Sequence, residues 1–138
     1  MNRILGLDLG SKTLGIAISD PLGIIARAVE TIRFNEDDYE EALEKLLVVI
    51  DNNNVNKIVL GLPKHMNGDI GIRGEISIEF KDMIEDATGI EVVLIDERLT
   101  TVAAEKILIQ GNVSRKNRKK VIDQMAAVNI LQGYLDRK

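Results

Sequence analysis

Apolar residues recur along this chain with two alternating periods. Residues 3–8 (Arg-Ile-Leu-Gly-Leu-Asp) form a nearly continuous apolar run, as a buried strand does. Gly10-Ser11-Lys12 reads as a turn, and residues 13–19 then alternate, with Leu14, Ile16 and Ile18 on one face. Residues 24–32 form a weaker third strand, so the opening reads as an antiparallel meander. From Asp38 the period lengthens. Tyr39, Ala42, Leu43, Leu46, Leu47 and Ile50 fall on one face of an amphipathic helix, which Asp51-Asn52-Asn53-Asn54 ends. Lys57 to Leu62 is a short apolar strand stopped by Pro63. Residues 64–74 follow as a glycine-rich loop containing Gly68, Gly71 and Gly74. Ile76, Phe80, Met83, Ile84 and Ala87 mark a second helix, closed by Gly89, and Glu91 to Ile95 a last strand. Thr100 or Thr101 can cap a helix running to Gly111. After a basic stretch, Ile122, Met125, Ala126, Ile130 and Tyr134 mark a final helix.

The predicted order is β-β-β-α-β-α-β-α-α. It describes an α/β fold whose mixed sheet joins a three-strand antiparallel meander to parallel strands, with helices on its faces. No repeat or linker divides residues 1–138, and that length suits a single domain. A chain of this size can bury about two-thirds of its unfolded surface, so it needs no staples.

Composition then narrows the chemistry. There are no cysteines, which excludes disulfides, Cys-ligated zinc, iron–sulfur clusters and a Cys nucleophile. A multi-His zinc site or a Ser-His-Asp triad would rest on the single histidine, His65. Apolar runs are far too short for a membrane span. The N-terminus enters a strand pattern with no signal-peptide pattern, so the expectation is a cytoplasmic protein with no membrane partner. The net charge of −4 argues against a general nucleic-acid coat. The charges are segregated, however. Glu36 to Glu44 holds six acids and no base, whereas Arg115 to Lys120 holds five bases (Arg115, Lys116, Arg118, Lys119, Lys120) and no acid.

Three acidic positions stand out. Asp8 closes the first strand, within Asp8-x-Gly10-x-x-x-x-Gly15 followed by Ser19-Asp20. Its carboxylate sits at the rim of the sheet, with glycines that admit a metal or phosphate to the backbone. The same pattern also suits a strand-end Asp capping a turn, or an ATP-phosphate loop. Asp96-Glu97 follows the last strand. Neighbouring residues there point to opposite faces, so one of the two can join Asp8 and the other pairs with a base or caps a helix. Acids at two strand ends can share an oxygen-ligand site suited to Mg²⁺ or Mn²⁺. Asp123 adjoins the apolar face of the final helix near its start. It is either a solvated helix residue or a third ligand, and Ala126 and Ala127 would let that helix approach the sheet. The glycine-rich loop is either a phosphate cradle or a tight connection, and it lacks the P-loop signature. His65 suits contact with substrate or solvent. The basic run is either solvated surface or a phosphate-binding patch beside Asp123. Phe34, Phe80, Tyr39 and Tyr134 read as packing residues, which leaves no platform for base stacking.

Taken together, the motifs resemble the YqgF (RuvX) family of Holliday-junction resolvase-like proteins and pre-16S rRNA nucleases. They are Leu7-Asp8-Leu9-Gly10 through Ser19-Asp20, Gly61-Leu62-Pro63 with Met66-Asn67-Gly68, Asp96-Glu97-Arg98-Leu99-Thr100-Thr101, and Ile122-Asp123-x-x-Ala126-Ala127 with Ile130-Leu131-Gln132. The resemblance implies an RNase H-like fold. It implies a metal-dependent endonuclease acting on precursor 16S rRNA, with branched DNA as the alternative substrate and pre-ribosomal particles as partners. A non-catalytic nucleic-acid-binding module of ribosome assembly is a further alternative, as is an actin-like ATPase, although 138 residues are too few for two lobes. The resemblance also implies Asp8, Glu97 and Asp123 as catalytic residues and ligands for Mg²⁺ or Mn²⁺, with Asp96 as the alternate to Glu97. Lys12, Arg98 and the Arg115–Lys120 bases would bind the backbone, in a monomer or weak homodimer. Ile72 and Gly74 stand where similar sequences have Pro and Ala. Ala126 and Ala127 stand where related resolvases carry a fourth acid.

Overall fold

The computed structural model describes residues 3–63, 70–96 and 115–137, with side chains from Met125 onward in the last segment. Its elements are β1 (Arg3–Leu9), β2 (Thr13–Ser19), β3 (Ala26–Arg33), α1 (Tyr39–Asn52), β4 (Val55–Leu62), α2 (Ile72–Thr88), β5 (Val92–Asp96) and α3 (Arg115–Asp136). One five-stranded sheet runs in the order β3-β2-β1-β4-β5. The first three strands pair antiparallel, and β4 and β5 add on parallel. The expected mixed sheet is therefore present. The helix expected from Thr100 or Thr101 to Gly111 lies outside the described residues.

The pleat sorts the side chains between two faces. Leu5, Leu7, Leu9, Leu14, Ile16 and Ile18 join Leu46, Ile50, Phe80 and Ile84 in the larger core, beneath α1 and α2. Fully burying an aliphatic side chain of this kind contributes about 1.5–3 kcal/mol, which makes this face the main source of stability. Asp38 caps α1 by accepting from the Glu41 N–H at 3.1 Å. Gly89 ends α2 in the left-handed region at φ 71°, where a glycine carries no steric cost.

On the opposite face, among the described residues, α3 is the one helix, in a smaller cluster of Ile4, Ala17, Val59, Ala127, Ile130 and Leu131. It rests directly on β1. A Cβ built on Gly6 would come within 2.5 Å of Leu131 Cβ and 2.9 Å of the Ala127 carbonyl. The C-terminal half of α3 is tied to the strands at the edge opposite Asp8. Gln132 accepts from the Ala26 N–H at 2.8 Å and donates to the Ile24 carbonyl at 2.9 Å. Lys57 donates to the Tyr134 hydroxyl at 3.1 Å and pairs with Glu91 at 3.4 Å. These ties fix the direction of α3. Its C-terminus lies at the start of β1, so its N-terminus points toward the end of β1.

Strands β1, β4 and β5 differ from the sequence reading by one or two residues at their ends, and three further boundaries differ for identifiable reasons. Ile24 and Ile25 are turn residues, not strand, because Asp20 Oδ1 accepts from their N–H groups at 2.7 and 2.9 Å. The final helix begins at Arg115 and so includes the basic run. Gly74 belongs to the first turn of α2, where a Cβ would meet the Pro63 carbonyl at 2.8 Å. At that position glycine serves close packing. Among the described residues no helix is long and apolar enough to cross a membrane.

Candidate functional site

Because β1, β4 and β5 run parallel, their C-terminal ends share one edge of the sheet, the place where such folds gather ligands. Asp8 is the penultimate residue of β1, half-buried on the central strand. Alternation from Gly6 puts Asp8 on the α3 face, about 7 Å further along the strand. Its partner across β2 is Gly15, and Gly15 in turn pairs with Thr31 on β3. Gly15, buried in β2, brings no side chain to the row beside Asp8. The Thr31 hydroxyl oxygen is buried without a hydrogen-bond partner.

The register also separates the two acids at the end of β5. Leu60 pairs with Leu94 and Leu62 with Asp96, and Leu60 belongs to the core beneath α1 and α2. Asp96 therefore falls on the face opposite Asp8, and it is exposed. Ile95, paired with Gly61, joins the α3 cluster instead. Glu97 and Arg98 lie outside the described residues, as does His65.

Asp123 stands on the α3 backbone one turn before Ala127 and two before Leu131, the residues that touch Gly6. That spacing places it on the stripe of α3 facing the sheet, toward the Asp8 end. Arg115, Lys116, Arg118, Lys119 and Lys120 occupy the turns before it, further toward the same edge. Lys12 is exposed on the β1–β2 turn. In that turn the Gly10 N–H donates to the Thr13 carbonyl at 2.7 Å.

The first motif is split between the two ends of the hairpin. Asp8 is at the functional edge, whereas Ser19 and Asp20 are at the far end and serve structure. The Ser19 hydroxyl accepts from the Ile4 N–H at 3.0 Å. The Ile25 and then the Ile24 N–H hold the Asp20 carboxyl below the usual carboxylate range. Sequence reasoning passed over Arg73, at the start of α2. It donates to the Tyr39 hydroxyl at 3.2 Å, and that hydroxyl donates to Asp37 at 3.0 Å. The positive signal was a lone Arg beside glycines, which has no periodicity to mark it.

A β3-β2-β1-β4-β5 sheet with a carboxylate near the end of its central strand and a helix returning across it defines an RNase H-like fold. The Thermus thermophilus RuvC in complex with Holliday junction substrate superposes with a TM-score of 0.60 at 12% identity, covering 99% of this chain and 96% of that one. The fowlpox virus Holliday junction resolvase gives a TM-score of 0.59 at 16% identity, covering 98% of each chain. At these identities the likeness is one of fold. Within that class, this chain belongs to the RuvX family, described as Holliday junction resolvase, which matches residues 2–137. A Bacillus subtilis relative is 58% identical over 134 residues, covering 97% of both chains, and is provisionally named a pre-16S rRNA nuclease.

Proposed function

We propose that this protein is a metal-dependent endonuclease that processes the 5′ end of precursor 16S rRNA, in the cytoplasm and on pre-ribosomal particles. The observation that carries the reading is the meeting of β1 and α3. Asp8 ends one and Asp123 lies on the sheet-facing stripe of the other, toward the same edge. The names of the close relatives supply the substrate class.

An all-carboxylate donor set fits a hard divalent cation, and the half-buried Asp8 holds one such group on the central strand. Asp8, Glu97 and Asp123 are the residues that would hold Mg²⁺ or Mn²⁺. The position of Asp96 on the opposite face supports Glu97 as the partner of Asp8. When bound, such a cation lowers the pKa of water and stabilises the leaving oxygen. The chain's own work is to hold these carboxylates on a rigid strand and helix and to seat the backbone. Lys12, Arg98 and the first turns of α3 would neutralise phosphates without reading sequence.

The family description favours a second substrate, a four-way DNA junction. The test sets precursor 16S rRNA against such a junction with Mg²⁺ or Mn²⁺, using wild type and Asp8→Asn. Wild type should cleave the rRNA. The variant should lose at least about a hundredfold, roughly 2.7 kcal/mol in the barrier, while still binding. Preferential cleavage of the junction would move the function to DNA. No cleavage of either, with binding intact, would leave a binding module of ribosome assembly.

A further inference from the structure

Of the basic groups assigned above, the described ones lie on α3 and on the β1–β2 turn. A nucleic-acid strand crossing the Asp8 edge would also pass the α2 side, where the described residues place a cation in an unusual setting. Arg73 is half-buried in the first turn of α2. Its side-chain contact is with a neutral group, the Tyr39 hydroxyl at 3.2 Å, and among the described residues it makes no ion pair. The guanidinium has five N–H donors, so among the described residues most of them are unengaged.

The support behind Arg73 is rigid. The Tyr39 ring packs on Phe34 and Phe80, with centroids 5.8 and 6.5 Å away. Burial pushes the Tyr39 hydroxyl above its ordinary pKa, so it stays protonated and donates to Asp37 at 3.0 Å. The Asp37 N–H donates to the Ser11 carbonyl at 2.8 Å, and the Phe34 N–H to the Lys12 carbonyl at 2.9 Å. Arg73 is therefore coupled, through Tyr39 and Asp37, to the turn that directly follows Asp8. On its other side, Gly74 lies against Pro63, at the end of β4. Both anchors belong to the functional edge.

A tie made only to join α1 and α2 is served best by pairing the arginine with a carboxylate. Here the carboxylate is one hydroxyl removed, and the cation is held in place with its charge largely unspent. A planar, pre-oriented guanidinium matches phosphate oxygens and loses little freedom on binding them. We propose that Arg73, held by Tyr39 and Asp37, is a second phosphate-binding position. It contacts the nucleic-acid backbone on the α2 side of the Asp8 edge, across the sheet from the Arg115–Lys120 run. This inference rests on the nuclease reading and extends it by naming where the substrate leaves the α3 face.

The test uses the full chain and a labelled precursor 16S rRNA fragment. Binding is measured against KCl concentration, alongside KM, kcat and melting temperature, for wild type, Arg73→Gln, Arg73→Lys and Tyr39→Phe. Arg73→Gln should flatten the log–log salt dependence by about 0.7 and raise KM, with kcat little changed. Arg73→Lys should restore the salt slope while recovering only part of the affinity, because an ammonium keeps the charge but not the fork. Tyr39→Phe should leave the slope intact and raise KM modestly. An unchanged salt slope in Arg73→Gln overturns the proposal, whether or not the melting temperature falls. So does a loss confined to kcat. If wild type itself binds no nucleic acid, it is the nuclease reading that fails.

Discussion

Gly6 shows how one residue can set the distance between a strand and the helix across it. A methyl group there has nowhere to go: one neighbour is the Leu131 Cβ, the other a backbone carbonyl of α3. Gly6→Ala should therefore push α3 off the sheet. The expected cost is about 1–3 kcal/mol, the range for overpacking, read as a lowered melting temperature with reduced cleavage. Asp20 is a residue-scale effect of another kind. Its folded-state pKa is depressed, first by the Ile25 and then by the Ile24 N–H. A depressed carboxyl stabilises the fold fully above its unfolded value, and that contribution is lost as pH falls through the folded value. Acid unfolding of Asp20→Asn should be less steep than that of wild type below about pH 4, where the unfolded carboxyl titrates. An identical acid limb would remove Asp20 from the acid sensitivity. Asp8 was legible in the sequence because a strand-end carboxylate followed by glycine is a local pattern. Arg73 was not, because its partner Tyr39 is 34 residues away and only the packing of α1 on α2 joins them.

Among the elements, α3 carries the most consequence. Its apolar period made the second half readable, but Arg115 to Lys120 has no apolar residue from which to read a helical face, so the start was placed too late. The opposite error occurred at Ile24 and Ile25. Both are apolar and suited to a strand, yet they are exposed, and the Asp20 carboxylate takes their N–H groups. The alanines at 126 and 127 also find a physical reason. Ala127 is fully buried where α3 meets Gly6, and a carboxylate there would have neither room nor water. One inserted residue between Gln124 and Met125 would turn Asp123 by about 100° off the sheet-facing stripe. The anchored half, from Ala127 to Leu135, would keep its contacts. We expect a folded protein with a near-native melting temperature that has lost cleavage by at least about a hundredfold. Retained cleavage would separate Asp123 from the chemistry.

At the scale of the whole molecule, the proposed chemistry and the anchorage occupy opposite ends of the described residues. The C-terminal ends of β1, β4 and β5 form one pole. The ties through Gln132, Tyr134 and Asp20 form the other. The mixed sheet and its flanking helices followed from the pattern of periods, whereas the strand order came from the structure and this polarity emerged only once the direction of α3 was known. The C-terminal end of α1, with Asp51 and Asn52 exposed, lies at the anchoring pole. The chain contains no cysteine, so Asp51→Cys would give it a single thiol. A bulky polymer attached there should leave binding and cleavage unchanged. The same polymer on Lys12→Cys should weaken binding by at least about tenfold, since it would crowd the phosphate path. Equal effects at the two positions would deny the polarity. A molecule built this way can be held by its anchoring pole and still leave the Asp8 edge free to meet a large ligand.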